Sequence, residues 1–176
     1  MRRILLLDDE QNVLAALQRS LRQIFKDLDL KIELFTVPEP AIQRFGEVAF
    51  DFVISDYHMA SMNGVDFLRI IKEIQPDAVR MMLSASADVN TIMGAINEAE
   101  VFRYIAKPWN AEELKETIEL AGKRRDQVLE DRRLADELRV QRGQLTAQEQ
   151  EARRLEEADP GITKVNWGAD GSVLLD

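Results

Sequence analysis

The chain has 176 residues, 45% of them hydrophobic, with 23 basic and 32 acidic residues and a net charge of -9. That length holds one ordinary domain and a modest remainder, and the acidic balance argues against nonspecific binding to nucleic acid or an anionic membrane, both of which need a positive field. The absence of cysteine excludes disulfides and thiolate metal sites and makes a reducing cytoplasm the expected location.

Residues 2–7 carry a short apolar block, Ile4-Leu-Leu-Leu7, with no helical period, and read as a strand. The block is too short for a secretory signal, and no apolar run approaches the roughly 18–20 residues that span a bilayer. Glu10 to Lys26 places Val13, Leu14, Leu17, Leu21, Ile24 and Phe25 at three- and four-residue spacing, an amphipathic helix. Lys31 to Thr36 alternates like an edge strand. Pro38 to Phe45 is a short helix stopped by Gly46. Asp51 to Ser55 is a third strand, Tyr57 to Gly64 a loop, and Val65 to Ile74 a helix ending before Pro76. Val79 to Leu83, Asp88 to Ala99 and Phe102 to Ile105 follow as strand, helix and strand. Five strands alternating with helices predict an α/β fold with a parallel sheet covered on both faces.

Asn110, with Glu113 three residues on, reads as the start of a fifth helix. Its pattern runs on to about Ala158, far beyond the usual ~11–12 residues. A 4-3 heptad seam can be drawn through Leu120, Arg124, Gln127, Asp131, Leu134, Leu138, Gln141, Leu145, Gln148, Ala152 and Leu155. Five of those eleven positions are polar, and Gly122 and Gly143 weaken the helix further, so the expectation is a marginal coiled coil over residues 110–158, pairing two chains, with a solvated single helix that frays beyond about residue 140 as the alternative. Asp159-Pro160-Gly161 is a stop. The tail, 159–176, permits a small hairpin or a disordered end.

Three of the strands stop at charged residues: Asp8-Asp9-Glu10 after the first, Asp56 after the third, Lys107 after the fifth. If these strands are neighbours, three carboxylates and an ammonium converge where open α/β sheets place their ligands. Asp8, Asp9 and Asp56 then suit magnesium, or manganese, which takes oxygen ligands and keeps several waters. One carboxylate could itself be a nucleophile toward a phosphoryl group, and Lys107 offers a point charge for its oxygens. Lys107 precedes Pro108, a candidate cis bond. Ser84 ends the fourth strand with a hydroxyl able to donate to a phosphoryl oxygen. Tyr104 reads either as core or as a switch, and His58 as a loop residue near Asp56. Taken alone, Asp8-Asp9 also fits a helix cap with a favourable dipole contact.

Together these residues resemble the receiver domain of bacterial two-component response regulators over about residues 2–122, which implies a receiver domain at 1–122. The paired acids Asp8-Asp9 match its metal-binding acids, and Asp56, with Met59 and Asn63-Gly64 beyond, its phosphoacceptor loop. Ser84 matches its hydroxyl switch, Tyr104 its aromatic switch, and Lys107-Pro108 its lysine and cis-prolyl bond. The resemblance implies a flavodoxin-like strand order 2-1-3-4-5. It implies phosphotransfer to Asp56 from a histidine kinase, a phosphotransfer protein or a small phosphodonor, with the main-chain carbonyl of His58 joining the metal shell. It implies no enzyme activity beyond self-phosphorylation and slow self-dephosphorylation at Asp56. Ala60 stands where the family often has proline, and Ala85-Ser86 where glycine is frequent. Trp109 is similar to receivers attached to cyclic-dinucleotide enzymes.

The expected output is a homodimer through helix 110–158 acting on a downstream protein, with no DNA-binding element in view. A phosphorelay shuttle and the front portion of a cyclic-dinucleotide enzyme are alternatives. A haloacid-dehalogenase-type phosphatase would use Asp8 as nucleophile, but Glu10 stands where its second aspartate belongs, and it gives Asp56 no role.

Overall fold

A computed structural model describes residues 1–85, 93, 97–143 and 146–162. The elements are β1 (Arg2–Leu7), α1 (Gln11–Ile24), β2 (Leu30–Phe35), α2 (Pro38–Glu47), β3 (Phe52–Asp56), α3 (Gly64–Ile74), β4 (Val79–Ala85), β5 (Arg103–Lys107), α4 (Ala111–Gln141) and α5 (Ala147–Ala158). The predicted helix over Asp88–Ala99 falls mostly outside the described residues, although 97–99 are helical.

The strands form one parallel sheet in the order β2-β1-β3-β4-β5. Alternation along each strand divides the core in two. Ile4, Leu6, Phe52, Ile54, Met81, Leu83 and Ile105 pack on one face against Leu14, Leu17 and Leu21 of α1 and Leu114 and Ile118 of α4. Leu5, Leu7, Val53 and Met82 pack on the other against Phe45 of α2 and Phe67, Leu68 and Ile71 of α3. All five residues of β3 are buried. That is what a central parallel strand covered by helices on both sides requires, and it explains why its sequence is apolar rather than alternating.

The amino-terminal ends of the strands are tied together through Asp51. Its carboxylate accepts from the Arg3 main-chain N–H at 2.8 Å and from Arg125 Nε of α4 at 2.7 Å. Arg2, 3.6 Å from Asp51, also reaches Asp126 at 2.7 Å. Arg125 donates besides to the Asp77 carbonyl at 2.8 Å. The middle of α4 is thereby fixed to the starts of β1, β3 and β4.

The helix predicted to continue from Asn110 to Ala158 is two helices. Asn110 caps the first, accepting from Glu112 and Glu113 N–H at 2.8 and 3.2 Å. It ends at Gln141, where Gly143 takes φ +70°, the left-handed conformation that terminates helices and suits glycine. Thr146 and Glu149 then form a reciprocal capping box that starts α5. Arg153 of α5 pairs with Asp136 of α4 at 2.9 Å, and Glu157 with Arg132 at 2.9 Å. Rising numbers in α5 meet falling ones in α4, so α5 runs antiparallel, back toward the sheet. The heptad seam, unbroken in sequence, is folded on itself. The tail from residue 163 onward lies outside the described residues.

Candidate functional site: an acidic cluster closed by a lysine

The carboxyl end of the sheet collects the charged strand ends. β1 and β3 are adjacent, as are β3 and β4, and β4 and β5. Asp56 closes β3 opposite Leu83, and Lys107 closes β5 opposite Ala85. Asp8 follows β1 and is fully buried, at 0% exposure, while Asp56 is 6% exposed.

Lys107 Nζ lies 2.9 Å from Asp8 Oδ2 and 2.9 Å from Asp56 Oδ1. One ammonium therefore bridges two buried carboxylates, and their bridged oxygens can stand no further apart than twice that distance. The convergence expected from the sequence is direct: the ammonium sits on two of the acids. The other Asp8 oxygen accepts the Glu10 N–H at 2.9 Å, which orients the carboxylate and opens α1. Asp9 and Glu10 are exposed, and carboxylate oxygens of Asp8, Asp9 and Glu10 lie within 4.8 Å of one another. Glu10, named in the sequence as part of this acidic run but given no ligand role there, joins the group in space.

Burial pushes the Asp56 carboxyl above the ordinary carboxylate range. The hydrogen bond from Lys107 opposes this, and the charges of Asp8 and Asp9 reinforce it. For Lys107 burial disfavours the charge, but the hydrogen bonds and charges of Asp56 and Asp8 outweigh it and raise its pKa. The group is thus an ion triad carrying surplus negative charge at a partly open sheet end. Hard oxygen donors with access to water fit a divalent cation such as magnesium, and a cation here would relieve the charge surplus.

Ser84 is buried and sits one residue beyond the partner of Asp56 on β4, level with Ala106. Its hydroxyl donates to the Ala85 carbonyl at 3.1 Å. Tyr104 lies on β5 opposite Met82 with its side chain partly exposed. His58 is exposed in the loop after β3, its ring edge-on to Tyr57 at 4.7 Å. The Lys107-Pro108 bond is cis, as its sequence position predicted. Trp109 Nε1 donates to Ser20 Oγ at 3.0 Å, seating the turn against α1.

Sequence reasoning did not anticipate what holds Asp56 from behind. The Gly64 N–H donates to the Tyr57 carbonyl at 2.9 Å, closing the loop, and the Tyr57 N–H donates to the Leu83 carbonyl at 3.0 Å. A Cβ on Gly64 would stand 2.9 Å from Met82 Sδ and 3.0 Å from the Asp56 carbonyl carbon, and would collide with the Asp56 carbonyl oxygen. Only glycine allows α3 to start this close to the Asp56 backbone. The Asn63-Gly64 pair was the available signal, with Asn63 capping α3 through the Asp66 N–H.

Residues 4–119 match the family described as response regulator receiver domain. The chain belongs to that family. The receiver portion is 36% identical over 118 residues to the hydrogenase transcriptional regulatory protein HoxA of Bradyrhizobium diazoefficiens, covering 67% of this chain and 23% of that protein. The chain thus spans under a quarter of that relative's length. Among solved structures, one from Rhodopirellula baltica described as an adenylate cyclase has a TM-score of 0.69 at 29% identity, covering 77% of this chain and 97% of that one. A signal receiver domain of an HD domain-containing protein from Pseudomonas fluorescens has a TM-score of 0.63 at 31% identity, covering 72% of this chain and 98% of that one. Among the described residues no helix of the receiver or its extension is long and apolar enough to cross a membrane.

Proposed function

We propose that this receiver accepts a phosphoryl group on Asp56 and passes the event to its carboxyl-terminal helices. The observation carrying this reading is the Lys107 ammonium held 2.9 Å from both Asp8 and Asp56. It makes Asp56 a buried carboxylate with a cation at hand for the charge that phosphorylation adds. Magnesium would be held by Asp8, Asp9 and Asp56, with the main-chain carbonyl of His58, and would neutralise charge developing on the transferred group.

The donor is a histidine kinase, a phosphotransfer protein or a small phosphodonor. An Asp56 Oδ attacks phosphorus in line, the P–N bond of a phosphohistidine breaks, and the departing imidazole keeps the electron pair and takes a proton. Lys107 and the Ser84 hydroxyl hold the phosphoryl oxygens. The acyl phosphate adds ~1.5–2 negative charges by analogy with other phosphorylated side chains. Ser84 turns toward them and Tyr104 moves inward from its partly exposed position, changing the surface beside α4. The output is association of two chains through the seam of residues 110–158, acting on a downstream protein.

Radioactive or mass-tagged phosphodonor followed by peptide mapping tests the first step. Label on Asp56, lost in Asp56→Asn and dependent on magnesium, is the expected result. Label on Asp8 would instead support phosphatase chemistry and overturn the assignment.

A further inference from the structure

The seam of α4 and α5 is continuous in sequence yet doubled back in space. We propose that the α4–α5 hairpin is a latch that withholds this seam from a second copy of the chain. The proposal rests on the dimerisation output described above and assigns its regulation.

Four observations carry it. The returning helix buries none of its residues, so little apolar area holds it closed. The pairs that hold it are ionic: Arg153 with Asp136, itself shared with Arg139, and Glu157 with Arg132. Between α5, α4 and the loop after α3 lies a cavity of about 720 Å³ lined by Gln75, Asp77, Arg132, Asp136, Arg153 and Glu157 among others. Ile74, Leu129 and Ala135 also stand on its wall, and a space that large is not a packed core. The seam leucines Leu134, Leu138 and Leu155 remain 46%, 50% and 44% exposed. Arg153 is half-exposed while Asp136 is buried, so the closed form hangs on a few ion pairs, and taking Arg153 away leaves a buried carboxylate with Arg139 alone; the seam's leucines meanwhile stay half-exposed.

Opening requires little else. Gly143 leaves its left-handed turn, the Thr146 capping box dissolves, and α4 runs on into α5 with the 4-3 spacing in register. Two such seams match each other because they are the same sequence, with leucines at 134, 138 and 155 and glutamines at 127, 141 and 148. The latch also touches the receiver body. Arg132 pairs with Asp77, at the foot of β4, as well as with Glu157, so the contact that holds α5 is shared with the domain that would receive the phosphoryl group.

Spin labels on engineered cysteines at Glu130→Cys and Arg154→Cys test the latch in the full chain, which has no cysteine of its own. Both positions are exposed and outside the seam. A closed hairpin keeps the labels near ~20 Å or less, since packed helix axes lie about 8–10 Å apart. An open helix separates them by about 36 Å along its axis. The wild type is expected to show the short distance. Arg153→Glu, and separately Gly143→Ala, are expected to show the long one and to dimerise by light scattering at roughly tenfold lower concentration, a shift of about 1.4 kcal/mol; Arg153→Lys stays closed. A long distance in the wild type overturns the latch, and so do opened variants that remain monomeric. Beryllofluoride with magnesium on the wild type is read separately. If the variants open and dimerise but beryllofluoride changes neither quantity, the latch stands and the phosphorylation-driven output falls.

Discussion

Replacing Lys107 by methionine keeps most of the side-chain volume and removes the charge that bridges Asp8 and Asp56. With each oxygen 2.9 Å from Nζ, two unit charges twice that far apart repel by about 3 kcal/mol at an effective dielectric of 20. Breaking a buried ion group by deleting one member costs about 3–5 kcal/mol by general experience, which is consistent. Lys107→Met is therefore expected to lose about 3 kcal/mol of unfolding free energy at pH 7.5 in chelator. The loss should depend on pH with a definite sign. The Asp56 carboxyl is already raised by burial and by Asp8, and Lys107 is what opposes that rise, so the variant raises it further. A carboxyl with a folded pKa above its unfolded one binds more protons in the native state, and stability then falls as pH increases through the raised value. The variant's deficit should shrink as pH is lowered toward 5, and saturating magnesium should shrink it at constant pH. Urea unfolding followed by Trp109 fluorescence, at two pH values with and without magnesium, measures all of this. A deficit that is the same under all four conditions would refute the charge-compensation argument and make Lys107 a packing residue.

Gly64→Ala places a methyl group against the Asp56 main chain. Overpacking of this kind costs about 1–3 kcal/mol, and an ångström of displacement at a reacting group costs on the order of 10²-fold in rate. Phosphodonor labelling should slow by about that factor with a parallel stability loss, whereas wild-type values for both would show that the loop has slack. Gly122→Ala should act in the opposite direction. Its new Cβ would meet Arg2 and Phe52 no closer than 3.6 Å, ordinary contact, so the helix gains about 0.5–1 kcal/mol; chemical denaturation with an unchanged slope checks it, and any loss of stability contradicts the reading.

The parallel sheet was legible because it rests on a local pattern, apolar blocks that stop at a charge, separated by amphipathic helices; its strand order, on which the meeting of Asp8, Asp56 and Lys107 depends, was legible only through the resemblance to receiver domains. The Lys107-Pro108 cis bond was legible from the proline itself, together with that resemblance. The anchors Asp51, Asp77 and Arg125 were not. Each looks like a solvated loop or helix charge until tertiary contact brings residues 48 to 74 positions apart together. Arg80 hid in a strand that read as apolar; its guanidinium is buried and donates to the carbonyls of Ala99 at 2.8 Å and Ala78 at 2.7 Å. Burial lowers its pKa from the ordinary arginine value. The end of α4 was misread because heptad spacing is blind to backbone handedness. Gly143 was counted as a weak helix former, and the Thr146–Glu149 pair, a local signal of a new start, was overlooked.

β3 carries Asp56 at its head, and Asp51, the anchor of the long helix, immediately precedes its foot. Clamped by neighbours in the plane and by helices above and below, this strand is the stiff keel of the molecule and cannot slide without tearing close-packed side chains on both sides. β5, with only Ile105 fully buried, is the compliant rim. α4 rests on the keel directly, through Phe52, Ile54 and the Asp51–Arg125 pair, and is joined to the rim by the short span from Tyr104 to Asn110, so it is positioned to register a change at either.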